Sequence, residues 1–163
     1  MGGRILVFAG VLLVLFAGLG YLTLGDAKMG GVSLFPHLPG VYLPVVKVGG
    51  VPVNVIKANT PEERNKGLSG RPSLPPLTGM WFAFETDDLY GIWMKEMQFS
   101  IDVIWISKDG DIVDVAPNVS PETYPKIFKP HAPARYVLEV PSGFMEQYNL
   151  TASDTVDFSG VVR

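Results

Sequence analysis

The first 24 residues contain an uninterrupted apolar run that limits what this end of the chain can become. Residues 5–24 carry no charged side chain, and a helix of about 20 residues spans the ~30 Å hydrocarbon core of a bilayer. No polar face interrupts the run, so an amphipathic core helix is not favoured. Arg4 precedes it, and the positive-inside rule therefore predicts a cytoplasmic N-terminus with the remaining chain outside. We interpret residues 1–24 as a single-pass anchor in the cytoplasmic membrane.

A cleaved signal peptide is the alternative interpretation of the same segment. Small side chains precede Ala27, as signal peptidase prefers, so cleavage near Ala27 would release a secreted domain. Cleavable apolar regions usually run about 7–15 residues, which is shorter than this one. The length therefore favours an uncleaved anchor, and both alternatives predict an extracytoplasmic domain.

Composition and charge exclude several classes of function. The chain has no cysteine, which rules out disulfides and a lipid-modified cysteine anchor. The formal net charge is −3, or −4 without Arg4, and no basic run occurs, so nucleic acid is not an expected partner. His37 and His131 lie far apart, and neither a phosphate-binding loop nor a dinucleotide fingerprint is present. We therefore predict neither a metal nor a cofactor.

The rest of the chain divides into a tether and one domain. Residues 25–39 are rich in glycine and proline and show little periodicity, which indicates a flexible tether. Residues 40–163 are enough for one hydrophobic core.

Two local signals at the start of the domain are specific. Gly49 and Gly50 separate two Val-rich segments, 45–48 and 51–58, which predicts a β-hairpin with a two-residue turn. Thr60 is followed by Pro and, three residues on, by Glu63, which predicts a short helix opened by a capping box.

The remaining apolar segments are short and separated by turns. We predict strands at 79–84, 101–107, 112–116, 135–140 and 155–158, a short helix at 141–148, and a long irregular loop at 117–133, which has five prolines. The expected fold is mainly β (α+β): a strongly bent antiparallel sheet or small barrel with two short helices, preceded by one N-terminal transmembrane helix.

Five ordered blocks of the domain resemble a known family. The blocks include residues 63–71, 79–84, 93–97, 101–110 and 136–143. They are similar to the domain of unknown function 192 family of bacteria and archaea, over roughly residues 46–158. The resemblance implies a compact, mainly β domain that is often exported or membrane-anchored, and it implies no established reaction or ligand. Three positions depart from the usual pattern: Ser69 stands where Met is common, Glu96 where Asn is usual and Ser100 where Pro is usual.

The best candidate site is the block Trp93, Met94 and Lys95, because it places charge in an apolar segment. One hypothesis is a binding surface for a sugar or peptide, with Trp93 as a stacking platform and Lys95 as the polar contact. The alternative, which we favour, packs Trp93 in the core and pairs Lys95 with Asp102 or Glu139, since buried charges normally occur in pairs.

Arg64 and Arg71 form a second candidate group. Two guanidinium groups would suit a carboxylate or sulfate, while the alternative pairs Arg64 with Glu139 or Asp102. Met80, Met94 and Met97 offer thioethers to Cu(I), but adaptable core filler is the interpretation we prefer.

Two functions follow from these residues. The first is a membrane-tethered binding or scaffold module of the cell envelope, with a glycan or protein partner. The second is a cell-envelope glycan hydrolase or lyase that uses Asp102 and Glu139, which requires both carboxyl groups to open into one cleft about 5–9.5 Å apart.

Overall fold

A computed structural model of the protein describes residues 43–161. The predicted anchor at 1–24 and the predicted tether at 25–39 lie outside these residues. Among residues 43–161, no helix combines the length and the apolar character that crossing a membrane requires.

The described chain forms nine strands and two short helices. The strands are β1 Val45–Val48, β2 Val51–Ala58, β3 Thr78–Asp88, β4 Ile92–Trp93, β5 Ile101–Ile106, β6 Ile112–Val119, β7 Ile127–Phe128, β8 Ala134–Pro141 and β9 Val156–Asp157; the helices are α1 Pro61–Lys66 and α2 Phe144–Gln147. The strands pair as a seven-stranded sheet in the order β6-β5-β8-β3-β2-β1-β9, together with a two-stranded ribbon of β4 and β7. Helix α1 follows β2, and helix α2 follows β8.

The two specific local signals are confirmed. Gly49 and Gly50 have φ values of 55° and 87° and join β1 to β2, a conformation that glycine adopts without strain. The Thr60 side chain accepts a hydrogen bond from the Glu63 N–H, and the Glu63 carboxylate accepts one from the Thr60 N–H, so the capping box opens α1.

The sheet curls strongly into a half-barrel. Its two outer strands approach each other at a single bridge between Asp111 and Thr155, where the Val156 N–H donates to the Gly110 carbonyl at 2.7 Å. A side chain at Gly110 would lie 2.7 Å from the Val156 carbonyl, so the contact requires glycine. The prediction of a strongly bent sheet with two short helices is confirmed, and the bent sheet is a half-barrel. One pairing, β2 with β3, is parallel, since α1 and the loop after it return the chain to the start of β3.

The proline-rich segment 117–133 is not the irregular loop that we predicted. Strand β6 continues to Val119, a 3-10 helix covers Pro121–Thr123, and β7 pairs antiparallel with β4. Proline is tolerated in β6 because this strand pairs only with β5 and its other side forms no ladder. The segment therefore contributes a paired strand next to Trp93.

Each face of the sheet carries its own apolar core, because side chains alternate along β5 and β8. We call the side of Ile104 and Val140 the first face and the side of Val103 and Glu139 the second face. The first face packs against α2 and the C-terminal segment. The second face is covered by the turn after α1 and by the ribbon. The buried residues at the centre of the second face include Met80, Phe82, Val103, Trp105 and Val137.

Asp102 ties the first face to its surroundings. Its carboxyl group is fully buried and accepts backbone N–H bonds from Asn118 at 2.8 Å, Gly143 at 3.1 Å and Met145 at 3.0 Å. These donors belong to β6 and to the start of α2. One side chain of β5 therefore holds an outer strand and a helix in place. The predicted ion pair between Lys95 and Asp102 is wrong, because the partners of Asp102 are backbone N–H groups.

Replacing Asp102 tests this role. Asp102→Ala leaves three N–H groups without an acceptor, of which the Met145 N–H is buried and the other two are partly buried. Each buried group that loses its acceptor costs about 1–3 kcal/mol. We expect the free energy of unfolding, measured with denaturant, to fall by about 3 kcal/mol or more, and by less for Asp102→Asn. Asp109→Ala, an exposed carboxylate in a turn, serves as the control, with a change within about 0.5 kcal/mol. A loss below about 1 kcal/mol for Asp102→Ala would contradict the role.

Candidate functional site

A cleft of about 470 Å³ opens on the second face of the sheet. One wall is α1 with the turn that follows it, and the other wall is the β4–β7 ribbon. Strands β3 and β8 form its floor. Its polar and charged lining comprises Arg64, Asn65, Lys66, Ser69, Tyr90, Lys129 and Glu139, and its apolar lining includes Leu68, Phe82, Phe84, Ile92, Trp93, Met97 and Ile127.

Glu139 lies at the floor of the cleft. Only 5% of the residue is exposed, and its Oε2 atom has no hydrogen-bond partner among residues 43–161. Its neighbours on the adjacent strands are Met80 and Val103, which are apolar. Burial raises the pKa of Glu139 to about 8. At neutral pH the group is therefore mainly a carboxylic acid, which can both donate and accept a hydrogen bond.

Arg64 projects from α1 into the wall of the cleft. Its Nη1 donates to the Asn59 carbonyl at 2.6 Å and to the Ala83 carbonyl at 3.2 Å, and its guanidinium lies 5.2 Å from the centre of the Phe84 ring. The predicted pairing of Arg64 with Glu139 or Asp102 is therefore wrong. Both hydrogen bonds use Nη1, so Nε and Nη2 have no protein acceptor among the described residues and can serve a ligand.

Trp93 stands at the mouth of the cleft and is 45% exposed. The favoured prediction that it packs in the core is wrong, because β4 pairs with β7 and lies outside the main sheet. The ammonium group of Lys95 lies 5.8 Å from the Trp93 ring, and Lys95 forms no ion pair within the part of the chain that the structure describes. Ser69 and Gly70 donate to the Lys95 and Glu96 carbonyls at 2.7 and 2.9 Å, which hold this segment against the turn after α1.

The other predicted site residues lie outside the cleft lining. Arg71 is exposed, so the expected pair of guanidinium groups does not converge there. Met80 and Met94 are buried in the core of the second face, which confirms the prediction that they fill the core. Residues 43–161 contain no group of three or more His, Asp or Glu side chains arranged to hold a metal ion.

Asp102 and Glu139 lie on opposite faces of the sheet. In the β5–β8 pairing, Asp102 is opposite Val140 and Val103 is opposite Glu139. Directly paired residues project to the same side, and successive residues project to opposite sides. The two carboxyl groups therefore cannot open into one cleft, and the predicted pairing of both as glycan-cleaving groups is wrong.

The sequence analysis did not identify Lys66, Lys129 or Ile127 as site residues. Lys66 ends α1, and the other two lie in the proline-rich segment, which had been assigned to a loop. The available signal was only the length of that segment, since long segments of this kind are often functional. Nothing local in the sequence pairs Ile127 with Trp93.

These observations define the class of domain. It is a mainly β half-barrel with a cation-lined cleft and a buried acid at the floor of that cleft. A family model described as DUF192, "Uncharacterized ACR, COG1430", matches residues 44–158. The chain belongs to this family.

Two solved structures share the fold. A proposed transcription regulator from Sinorhizobium meliloti is 27% identical, with a TM-score of 0.68 over 72% of this chain and 95% of that protein. A protein of unknown function from Novosphingobium aromaticivorans is 24% identical, with a TM-score of 0.67 over 80% of this chain and 94% of that protein. The search of curated proteins found no significant match.

The raised pKa of Glu139 makes stability depend on pH. Its folded-state value of about 8 lies above the ordinary value of 4.5, so the folded protein binds the proton more tightly. This contribution to stability is complete below pH 4.5 and is lost as pH rises to about 8. We expect the wild type to lose about 3–5 kcal/mol relative to Glu139→Gln over that interval, measured by denaturant unfolding at several pH values.

Glu146→Gln provides the matched control, because Glu146 is an exposed carboxylate on α2. Its unfolding free energy should follow that of the wild type at every pH. If wild type and Glu139→Gln instead showed parallel pH profiles, the carboxyl group of Glu139 would have an ordinary pKa.

Proposed function

We propose that this protein is an extracytoplasmic binding domain held at the membrane, and that its cleft takes a small organic anion with an apolar body. The observation that carries the proposal is a buried, unpartnered acid at the floor of a cleft whose walls are cationic. A group of this kind costs free energy when it is left unsatisfied, and a bound ligand removes that cost.

The charge of the cleft differs from that of the domain around it. Residues 43–161 hold ten Lys and Arg against fifteen Asp and Glu, a formal net charge of −5. Three of the ten cations, Arg64, Lys66 and Lys129, line this cleft, and Glu139 is the only acid among the described residues that line it. Glu139 is mainly neutral at pH 7, so the cleft attracts anions within an acidic domain. Glu96, the acidic departure from the family pattern, is outside the lining.

The remaining lining specifies the rest of the ligand. Protonated Glu139 can donate to a carbonyl or ether oxygen that reaches the floor. Phe82, Leu68 and Trp93 provide apolar and aromatic surface for a hydrocarbon or ring. A ligand with a carboxylate, a hydrogen-bond acceptor and an apolar group therefore matches all three parts of the cleft. Fragments of envelope peptides belong to this chemical class.

The placement outside the cytoplasmic membrane rests on the apolar run at residues 5–24 and on Arg4 before it. The domain would then sample ligands or partners of the cell envelope. A role in nucleic-acid binding, as proposed for the Sinorhizobium transcription regulator, is not favoured for this protein. Residues 43–161 have a net charge of −5 and no run of basic residues that would follow a nucleic-acid backbone.

N-acetyl-phenylalanine is a suitable probe, because it combines a carboxylate, an amide carbonyl and an aromatic ring. We expect it to change the emission of Trp93 in the full-length protein, since Trp81 and Trp105 are buried. The uncharged N-acetyl-phenylalanine amide should bind about tenfold or more weakly, because it lacks the anionic group that meets the cations. Titration followed by fluorescence measures both dissociation constants.

Lys129→Met and Lys66→Met should each weaken binding of the acid severalfold without changing binding of the amide. Lys108→Met, an exposed lysine outside the cleft lining, is the matched control and should bind as the wild type does. Equal affinity for acid and amide, or equal weakening by all three substitutions, would rule out a cationic site in this cleft.

The proposed location has its own test. We expect externally added protease to degrade residues 40–163 in spheroplasts while a cytoplasmic marker protein stays intact. The N-terminal segment should remain in the membrane fraction, because residues 5–24 would be uncleaved. Protection of the domain in intact spheroplasts would contradict the extracytoplasmic location, and a soluble, shortened product would instead indicate cleavage near Ala27.

A further inference from the structure

We propose that the exposed face of the β4–β7 ribbon docks on the headgroup region of an anionic lipid bilayer, the same membrane that holds the N-terminal segment. The face consists of Trp93, Tyr124 and Ile127, and we call it the ribbon face. This inference rests on the proposed membrane attachment. It does not depend on the proposed ligand of the cleft.

Three of the five large exposed apolar side chains among residues 43–161 meet on this face. Trp93 is 45%, Tyr124 46% and Ile127 53% exposed. Trp93 and Ile127 are directly opposite each other in the β4–β7 pairing, so they project to the same side. The Trp93 and Tyr124 rings meet edge to face with their centres 6.2 Å apart. Clustered exposure of this kind marks an interaction surface, whereas scattered apolar residues do not.

Lysines lie on both sides of the ribbon. Lys95 lies 5.8 Å from the centre of the Trp93 ring, on the ribbon face. Lys126 lies 4.4 Å from the centre of the Phe128 ring, which projects to the other side of the ribbon. Lys129 follows at the edge of the cleft. These two segments hold three lysines against two acids, Glu96 and Glu122. Each Lys near an anionic bilayer surface contributes about 1 kcal/mol.

This combination favours a bilayer over other occupants. Trp and Tyr concentrate at membrane interfaces, because their rings are apolar and their N–H or O–H groups remain hydrated. A second copy of the chain would bring two copies of Lys95 and of Lys129 together, and like charges oppose that contact.

The length of the chain before the described residues permits the contact. Residues 25–42 separate the apolar run from the domain, and 18 extended residues reach at most about 60 Å. A domain of this size is roughly 35 Å across, so any of its faces can reach the bilayer. Attachment also raises the effective concentration of the domain at the bilayer surface. A low intrinsic affinity of the ribbon face for lipid is therefore sufficient for docking.

The test uses the full-length protein reconstituted in vesicles that contain phosphatidylglycerol brominated near the headgroup. Bromine quenches only indole rings that reach the bilayer, and Trp81 and Trp105 are buried. We expect most of the Trp93 emission to be lost relative to vesicles without bromine. Trp93→Phe should lose the quenchable component, and high salt or zwitterionic lipid should reduce the quenching because screening weakens the lysine contribution.

Two further variants separate the sources of the signal. Exchanging Lys95 and Lys129 for Gln should reduce quenching, while the same exchange at Lys47 and Lys108, exposed lysines in other segments, should not. Sedimentation with the vesicles is measured in parallel. If the protein does not sediment, the membrane attachment itself is wrong. If the protein sediments but bromine does not quench Trp93, the docking proposal is overturned. In that case, Trp93 that stays accessible to acrylamide indicates no partner, and Trp93 that is shielded from acrylamide indicates a protein partner.

Discussion

The register between β5 and β8 is the constraint on which the rest of the structure depends. It pairs Asp102 with Val140 and Val103 with Glu139, so one residue step separates the two faces of the sheet. A slip by one residue would exchange the sides on which these carboxyl groups lie. Strand β3 pairs with β8 on its other side and opposes this slip. The apolar cores, the hydrogen bonds of Asp102 and the floor of the cleft therefore all follow from a single alignment.

The two buried acids, Asp102 and Glu139, differ in role because their surroundings differ. Asp102 accepts three backbone N–H bonds and joins an outer strand to α2, which is a structural role. Glu139 lies among apolar neighbours, with no partner for its Oε2 among residues 43–161, and burial raises its pKa to about 8. A buried polar group without a partner destabilises a fold unless a ligand or water satisfies it. The same residue class thus stabilises one face and leaves a buried, protonated acid at the floor of the cleft on the other.

A departure from the family pattern also has a structural reason. Glu96 has a φ of 56°, in the left-handed region that Asn tolerates better than Glu does. The Asn that is usual at this position suits that conformation. Glu96 lies in the turn that follows Trp93 and Lys95, and its carbonyl accepts a hydrogen bond from Gly70. The strain of the substitution therefore falls on the turn beside the ribbon face, outside the lining of the cleft.

Local patterns were sufficient to predict both helices and the strands of the main sheet, but not the β4–β7 ribbon. The turn at Gly49 and Gly50, the capping box from Thr60 and the short apolar strands each depend on neighbouring residues, so the mainly β fold and the family were accessible from sequence. The cleft was not, because Lys66, Lys129 and Glu139 come from three distant segments that only the sheet and ribbon pairings bring together. The sequence showed charges within apolar segments, which suggested ion pairs. The tertiary structure decided their partners, because the face on which a side chain lies is set by strand register.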